Sequence, residues 1–230
     1  MGMTYQQVQA KAKATMQYAQ KTIRSGMRLT EVRKLCEDKM LELGADSFWY
    51  WDVGAFVFAG DETAVSVSGR NYVTSGRLVA PVDIVTIDLS PQIGDTWGDY
   101  ARTIILQDGA PAKTDAVVNP EWKRGLLMEE SLHCELARFA RPETTFEELH
   151  RHMNGFIEAE GFVNLDFAGN LGHSVVRRKE DRVYIERGNR ARLGEAELFT
   201  FEPHISLRGS RFGVKMENIY YFECGVLREL

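Results

Sequence analysis

The sequence predicts a mixed α/β (α+β) domain of two pseudo-symmetric halves, about residues 1–114 and 115–230, each a helix pair followed by a mainly antiparallel sheet. Three observations predict it. Helical periodicity gives way to β-branched and aromatic texture twice along the chain, in the same order. Displacing the sequence by 117 residues sets Leu29 on Phe146, Glu31 on Glu148, Val32 on Leu149 and Gly44 on Gly161. No linker or low-complexity segment separates the halves, so residues 1–230 read as one domain, and the 117-residue period is too long for a solenoid.

Residues 4–24 carry an apolar side chain every three or four positions without a breaker, and read as the first helix. After Gly26 the period resumes at Leu29 and stops at Gly44, a glycine C-cap that bounds the second helix. From Phe48 to about Leu106 the texture is that of strands broken by Gly and Pro turns: FWYWDVGAFVFAG, AVSVSG, DIVTIDLS and the run after Trp97. The second half opens on a long helix from about Asn119. Another helix follows over TTFEELHRHMNGFIEAEG, ending at Gly161, and AELFTFEP and GVKMENIYYFECGVL are strands. The aromatic run Phe48–Trp51 reads as packing beneath the first sheet, because alternate residues of a strand point inward.

A hydrophobic content of 44% in 230 residues is ample for a core. The net charge of −5 leaves no basic footprint, which argues against nucleic acid and anionic membrane as partners. Cys36, Cys134 and Cys224 lie far apart without a CxxC pair, against a disulfide framework or a cysteine zinc site and in favour of a reducing cytoplasm. The N-terminal segment is polar and no 18-residue apolar run occurs, so neither a secretion signal nor a membrane span is expected. A homodimer is left open as the assembly.

The chemistry lies in acids embedded in strand-like runs, where a carboxylate is costly unless paired with a cation. Asp88 sits in IVTIDLS, and Asp99 follows eleven residues later, a spacing at which a hairpin brings both to one end of paired strands. Glu202 in LFTFEPHI and Glu217 in GVKMENIYYF repeat the arrangement, fifteen residues apart around SLRGSRFG. The 117-residue shift carries Asp88 to within three residues of Glu202 and Asp99 to within one of Glu217. Any one of these acids alone reads more simply as a salt-bridge partner. Four converging acids repel one another, and a pair of divalent cations with hard oxygen ligands neutralises them economically. His173 in AGNLGHSV could add an imidazole, whereas His133, His150 and His152 lie in helical segments and read as solvated. Arg177, Arg178, Arg182 and Arg187 read as a solvated basic face, with capture of a substrate carboxylate as the alternative.

The ordered set Asp88, Asp99, His173, Glu202 and Glu217, in these contexts, resembles the pita-bread family of dinuclear metallopeptidases, which contains methionine aminopeptidase, aminopeptidase P and prolidase. VDIVTIDLS resembles the strand of the first Asp, GDYARTI that of the second, and LGHSV the Gly-His segment. FTFEP resembles the Thr-(Ile/Phe)-Glu-Pro motif, and FGVKMENIYYF the Gly-Val-Arg-(Ile/Met)-Glu-(Asp/Asn) motif. The likeness runs from RSGMRLTEV onward and is nearest to the Xaa-Pro branch. It implies two halves with helices packed on a curved sheet, and two Mn, Co, Zn or Fe ions bridged by Asp99 and Glu217. It further implies a metal-bridging water, with Glu202 as general base.

The departures concern the residues around that set. Family peptidases carry a histidine about seventeen residues before the first Asp and another seven after the metal histidine; here Asn71 and Glu180 stand there. Asparagine donates a hydrogen bond to an oxyanion but cannot carry a proton as imidazole does. No counterpart of the extra N-terminal domain usual in aminopeptidase P and prolidase is expected. The leading expectation is therefore a hydrolase of a peptide or small amide, with Glu202, Asn71 and Glu180 catalytic. The alternative is a lyase or decarboxylase of the same fold acting on a small metabolite, with Asn71, Tyr100, Glu180 and His204 around the substrate. A metal-free binding module is the third class, disfavoured because a metal-free pocket has no reason to tolerate four acids.

Overall fold

The computed structural model describes residues 4–230. Its first half runs through helices α1 (Tyr5–Thr22) and α2 (Leu29–Glu42). Strands β1 (Ser47–Phe48), β2 (Ala55–Ala59), β3 (Asp83–Leu89), β4 (Pro91–Ile93), β5 (Thr96–Trp97), β6 (Tyr100–Gln107) and β7 (Ala110–Pro111) follow. The second half runs through α3 (Pro120–Phe139) and α4 (Phe146–Ala159). Its strands are β8 (Phe162–Asn164), β9 (Phe199–Phe201), β10 (His204–Leu207), β11 (Val214–Lys215), β12 (Asn218–Glu223) and β13 (Val226–Glu229).

Local chemistry sets the helix ends. Thr4 and Thr145 each accept a bond from the backbone three residues on, and Gln7 and Glu148 return it, closing a capping box on α1 and on α4. Asn119 caps α3, with Pro120 in its first turn. Gly44 and Gly161 take φ of +93° and +82° beyond α2 and α4, a turn that glycine makes without a Cβ penalty.

The repeat is visible in the buried stripes. Leu29, Val32, Cys36 and Met40 on α2 and Phe146, Leu149, Met153 and Ile157 on α4 correspond pairwise at a displacement of 117 residues. Spacings of three and four put each set on one helix face. The α2 stripe packs with Ala12 and Met16 against Val57, Val85 and Ile87, and the α4 stripe with Leu132 and Leu136 against Phe162, Phe199 and Phe201. Each such burial stabilises by about 1.5–3 kcal/mol.

The strands form antiparallel sheets in the orders β2-β3-β6-β7 and β13-β12-β9, with smaller β1-β4-β5 and β11-β10-β8 units. The two halves meet where Arg102 of β6 bridges Met216 and the Glu217 N–H donates to the Ala101 carbonyl at 3.0 Å. On the far edge of β9, Ser174 bridges Phe199 and His173 bridges Tyr184.

Two expected strands are something else. AVSVSG lies between short 3-10 turns at Gly60–Ala64 and Gly69–Asn71, because no neighbouring strand pairs with it. Of FWYW, only Phe48 is in a strand. Trp51 and Asp52 turn the chain at φ +58° and +57°, with the Val53 N–H donating to the Tyr50 carbonyl.

Leu149→Ala is expected to cost about 2–5 kcal/mol, as a core deletion does. Val32→Ala, in the other core, should add to it within about 0.5 kcal/mol, since distant sites without shared partners are additive. Urea unfolding of the single and double variants, followed by circular dichroism, checks both, and one cooperative transition is expected throughout.

Candidate metal centre

The acids are positioned by backbone register. Asp88 on β3 pairs with Ala101 on β6, and Asp99 lies just before β6 begins, so the β4-β5 excursion returns the second acid beside the first. Gln9, buried on α1, fixes Asp99 from behind: its amide donates to the Asp99 carbonyl (2.6 Å) and accepts from the Asp99 N–H (3.0 Å). Arg102 donates to the Glu217 carbonyl (2.7 Å) across the seam between the halves. The Glu202 N–H donates to the Leu171 carbonyl, and the Thr200 hydroxyl to Glu202 Oε1 at 3.2 Å.

Asp88, Asp99 and Glu217 each offer an oxygen within 4.8 Å of the others. His173 Nδ1 lies 3.1 Å from the Ser174 carbonyl, which can only accept, so that nitrogen carries the proton and Nε2 presents its lone pair. Nε2 faces Glu202 Oε1 at 3.6 Å and Asp99 Oδ2 at 3.9 Å, too long for hydrogen bonds. Glu217 has no exposed surface, and neither of its oxygens accepts a hydrogen bond. Lone pairs turned on one another without intervening protons fit a cation. Hard carboxylates with one imidazole suit a divalent ion such as manganese, cobalt, zinc or iron.

Titration behaviour follows. Burial pushes Asp99 and Glu217 well above the usual carboxylate range, and the neighbouring acids push them further. Burial raises Glu202 as well, but the Lys215 ammonium and His173 outweigh it and hold the group below its ordinary value. Burial keeps His173 below the usual imidazole range, opposed by Glu202. Lys215 was not anticipated. Its Nζ lies 2.6 Å from Asp88, 2.9 Å from Glu202 and 3.6 Å from Glu217. Strand alternation gave the signal, because residues 215 and 217 share a face.

At the acids opens a cavity of about 420 Å³, lined by Trp49, Tyr50, Phe56, Phe58, Arg182 and Tyr184 among others. His204, expected near substrate, lies in its wall and points Nε2 at the Thr63 carbonyl at 2.7 Å. Three other expected residues are not in that wall. Asn71 is exposed on the Gly69–Asn71 turn, since its segment turns away instead of pairing as a strand. Glu180 is exposed on the Lys179–Asp181 turn, because the chain loops out after Val176 and the His173–Tyr184 bridge brings residue 184 to the site. Tyr100 faces the other way and stacks under Arg102, whose guanidinium lies 3.9 Å from its ring centre.

Two surface readings also change. Trp49 and Tyr50 wall the cavity as well as packing, with Trp49 stacked on Trp97 at 4.1 Å. Of the four arginines, Arg182 leaves the solvated face. Its guanidinium lies 5.0, 5.6 and 5.8 Å from the rings of Trp49, Tyr184 and Tyr50, and its Nε donates to the Lys179 carbonyl. Among the described residues no carboxylate pairs with it. His133, expected in solvent, is buried behind the Glu217 strand, with Nδ1 2.7 Å from the Tyr220 hydroxyl and Nε2 3.2 Å from the Met216 carbonyl.

A model of metallopeptidase family M24 matches residues 4–223. No curated protein matches the chain in sequence. Among solved structures, an X-Pro aminopeptidase from Thermotoga maritima superposes with a TM-score of 0.80 at 21% identity, covering 98% of this chain and 59% of its own. A prolidase from Pyrococcus furiosus superposes at 0.74 and 21%, covering 98% and 61%. A methionine aminopeptidase from Thermotoga maritima superposes at 0.74 and 15%, covering 98% and 94%. The fold is thus the pita-bread fold, and the chain spans about three-fifths of the length of the first two.

Two outcomes follow from this geometry. Asp99→Asn and Glu217→Gln should lower retained metal, read by elemental analysis after dialysis, more than His173→Gln does, because the carboxylates stand nearer the centre of the cluster. A His173 variant that alone emptied the site would contradict this. Burial pushes His133 down to about 3. The folded state therefore holds this ring neutral while the unfolded state protonates it below about 6.5. The stability advantage of the wild type over His133→Gln should thus shrink by up to about 1.4 kcal/mol per pH unit as pH falls from 6.5 toward 3. Denaturant titrations across that range measure it.

Proposed function

The chain belongs to metallopeptidase family M24, and from that premise we propose that it is a metal-dependent hydrolase of the aminopeptidase P and prolidase type. Its substrate is a peptide or small amide. Asp88, Asp99, His173, Glu202 and Glu217 would hold two divalent ions. The observation that carries the reading is the convergence of these groups at the floor of a cavity, around a Glu217 carboxylate that lacks any hydrogen bond. The ions would supply polarisation of the scissile carbonyl and a nucleophilic water at neutral pH.

The chain's own residues supply the rest. Glu202, held below its ordinary value by Lys215 and His173 and with Oε1 bonded by the Thr200 hydroxyl, is the carboxylate positioned to accept a proton at the reacting centre. His204 holds the Thr63 segment against the cavity. Trp49, Tyr50, Phe56 and Phe58 exclude water and suit an apolar ring such as that of proline. Arg182, oriented by its Nε bond and three aromatic rings, has a free guanidinium edge for the carboxylate of a short substrate.

One observation favours a second reading, a non-peptidase of the same fold. Neither Asn71 nor Glu180, which stand where the peptidases it resembles carry histidines, lines the cavity. Turnover of a panel of Xaa-Pro peptides and N-acyl amino acids by protein loaded with Mn²⁺ separates the readings. Hydrolysis of short peptides with a free carboxylate is expected. Arg182→Met should raise KM for them by about 10–100-fold with kcat little changed, the effect of losing one charge-assisted pair. Fully metallated protein inert on the whole panel would leave only the metal centre standing.

A further inference from the structure

Lys215 is the one group in the centre that already carries the charge a metal would bring. It leaves β11 and turns its ammonium into the acids, bonded to Asp88 Oδ2 and Glu202 Oε2 and 3.6 Å from Glu217 Oε2. The side chain is only 16% exposed, so these carboxylates are its main partners. An ammonium has three donors and no acceptor, and here they face three of the groups on which a divalent ion depends. Carboxylate oxygens that spend their lone pairs on N–H donors are not free to coordinate at full strength.

We propose that Lys215 is an internal counter-cation of the metal centre, which holds Asp88, Glu202 and Glu217 together in the metal-free chain and must yield these carboxylates when ions enter. The proposal rests on the reading of the five residues as a metal centre. Two consequences follow. The metal-free chain keeps its acids assembled, because one buried positive charge offsets part of their repulsion. Metal affinity is weaker than the same ligands would give alone, because each ion competes with a bound ammonium. The exchange moves a lysine side chain and requires no proton transfer.

A lysine that merely orients the ligands would act in the opposite sense, since its removal would weaken metal binding. The test compares the wild type with Lys215→Met and Lys215→Gln, all stripped by chelator. Mn²⁺ affinity is measured by titration calorimetry, and melting temperature with and without Mn²⁺ by scanning calorimetry. Both variants should bind Mn²⁺ at least tenfold more tightly than the wild type. They should melt lower when metal-free and gain more from Mn²⁺. Variants that fold only when Mn²⁺ is present support the proposal equally. Variants that bind Mn²⁺ as tightly as or more weakly than the wild type overturn it, while the metal centre stands. A wild type and variants that all fail to bind Mn²⁺ overturn the metal centre and this proposal together.

Discussion

A fully buried carboxylate without a hydrogen bond sets the terms for the whole molecule. Glu217 has no exposed surface, and its oxygens have no donor. Leaving such a group charged and unpaired costs several kcal/mol, so the surrounding structure must either neutralise it or supply a cation. The fold does both. Burial and neighbouring acids raise Glu217 toward its neutral form, while Lys215 and the lone pair of His173 frame a space that a metal fits. Neighbouring side chains fix the acids in place. Gln9 grips Asp99 from α1, and Arg102 grips the Glu217 carbonyl across the seam, so neither acid can relax toward solvent.

Much of this was legible in the sequence, because two periodicities carried it. Stripes at spacings of three and four fixed α2 and α4. The repeated acid pairs, displaced by 114 residues from Asp88 to Glu202 and by 118 from Asp99 to Glu217, marked the seam. What failed was counting along loops. A fixed offset from a ligand points to Asn71 and Glu180, and such an offset holds only where the backbone between is regular. At Glu180 the chain has looped out after Val176, and the isolated His173–Tyr184 bridge returns it to the site only at Tyr184, so the offset points at solvent. Arg182 was invisible among its arginine neighbours for the same reason. Only the fold shows which one turns inward against Trp49.

Two cations serve the cavity from different distances. Lys215 sits among the acids and neutralises them, whereas Arg182 stands off against three rings and pairs with none. The difference suits their chemistry. A compact ammonium fits between several carboxylates, while a planar guanidinium stacks on aromatic faces and keeps an edge free for a ligand. Exchanging them would leave the net charge unchanged and spoil both sites.

The pseudo-symmetry explains why such a cavity has a direction. The residues that line it differ between the halves: Phe56, Val65 and Val67 come from the first, and His173, Arg182 and Tyr184 from the second. Each half contributes an acid pair to the floor, but the imidazole and the free cation come only from the second. The first half offers rings and branched alkyl groups. The two halves therefore present different chemistry around the acids. A symmetric scaffold acquires selectivity through the side chains that break its symmetry.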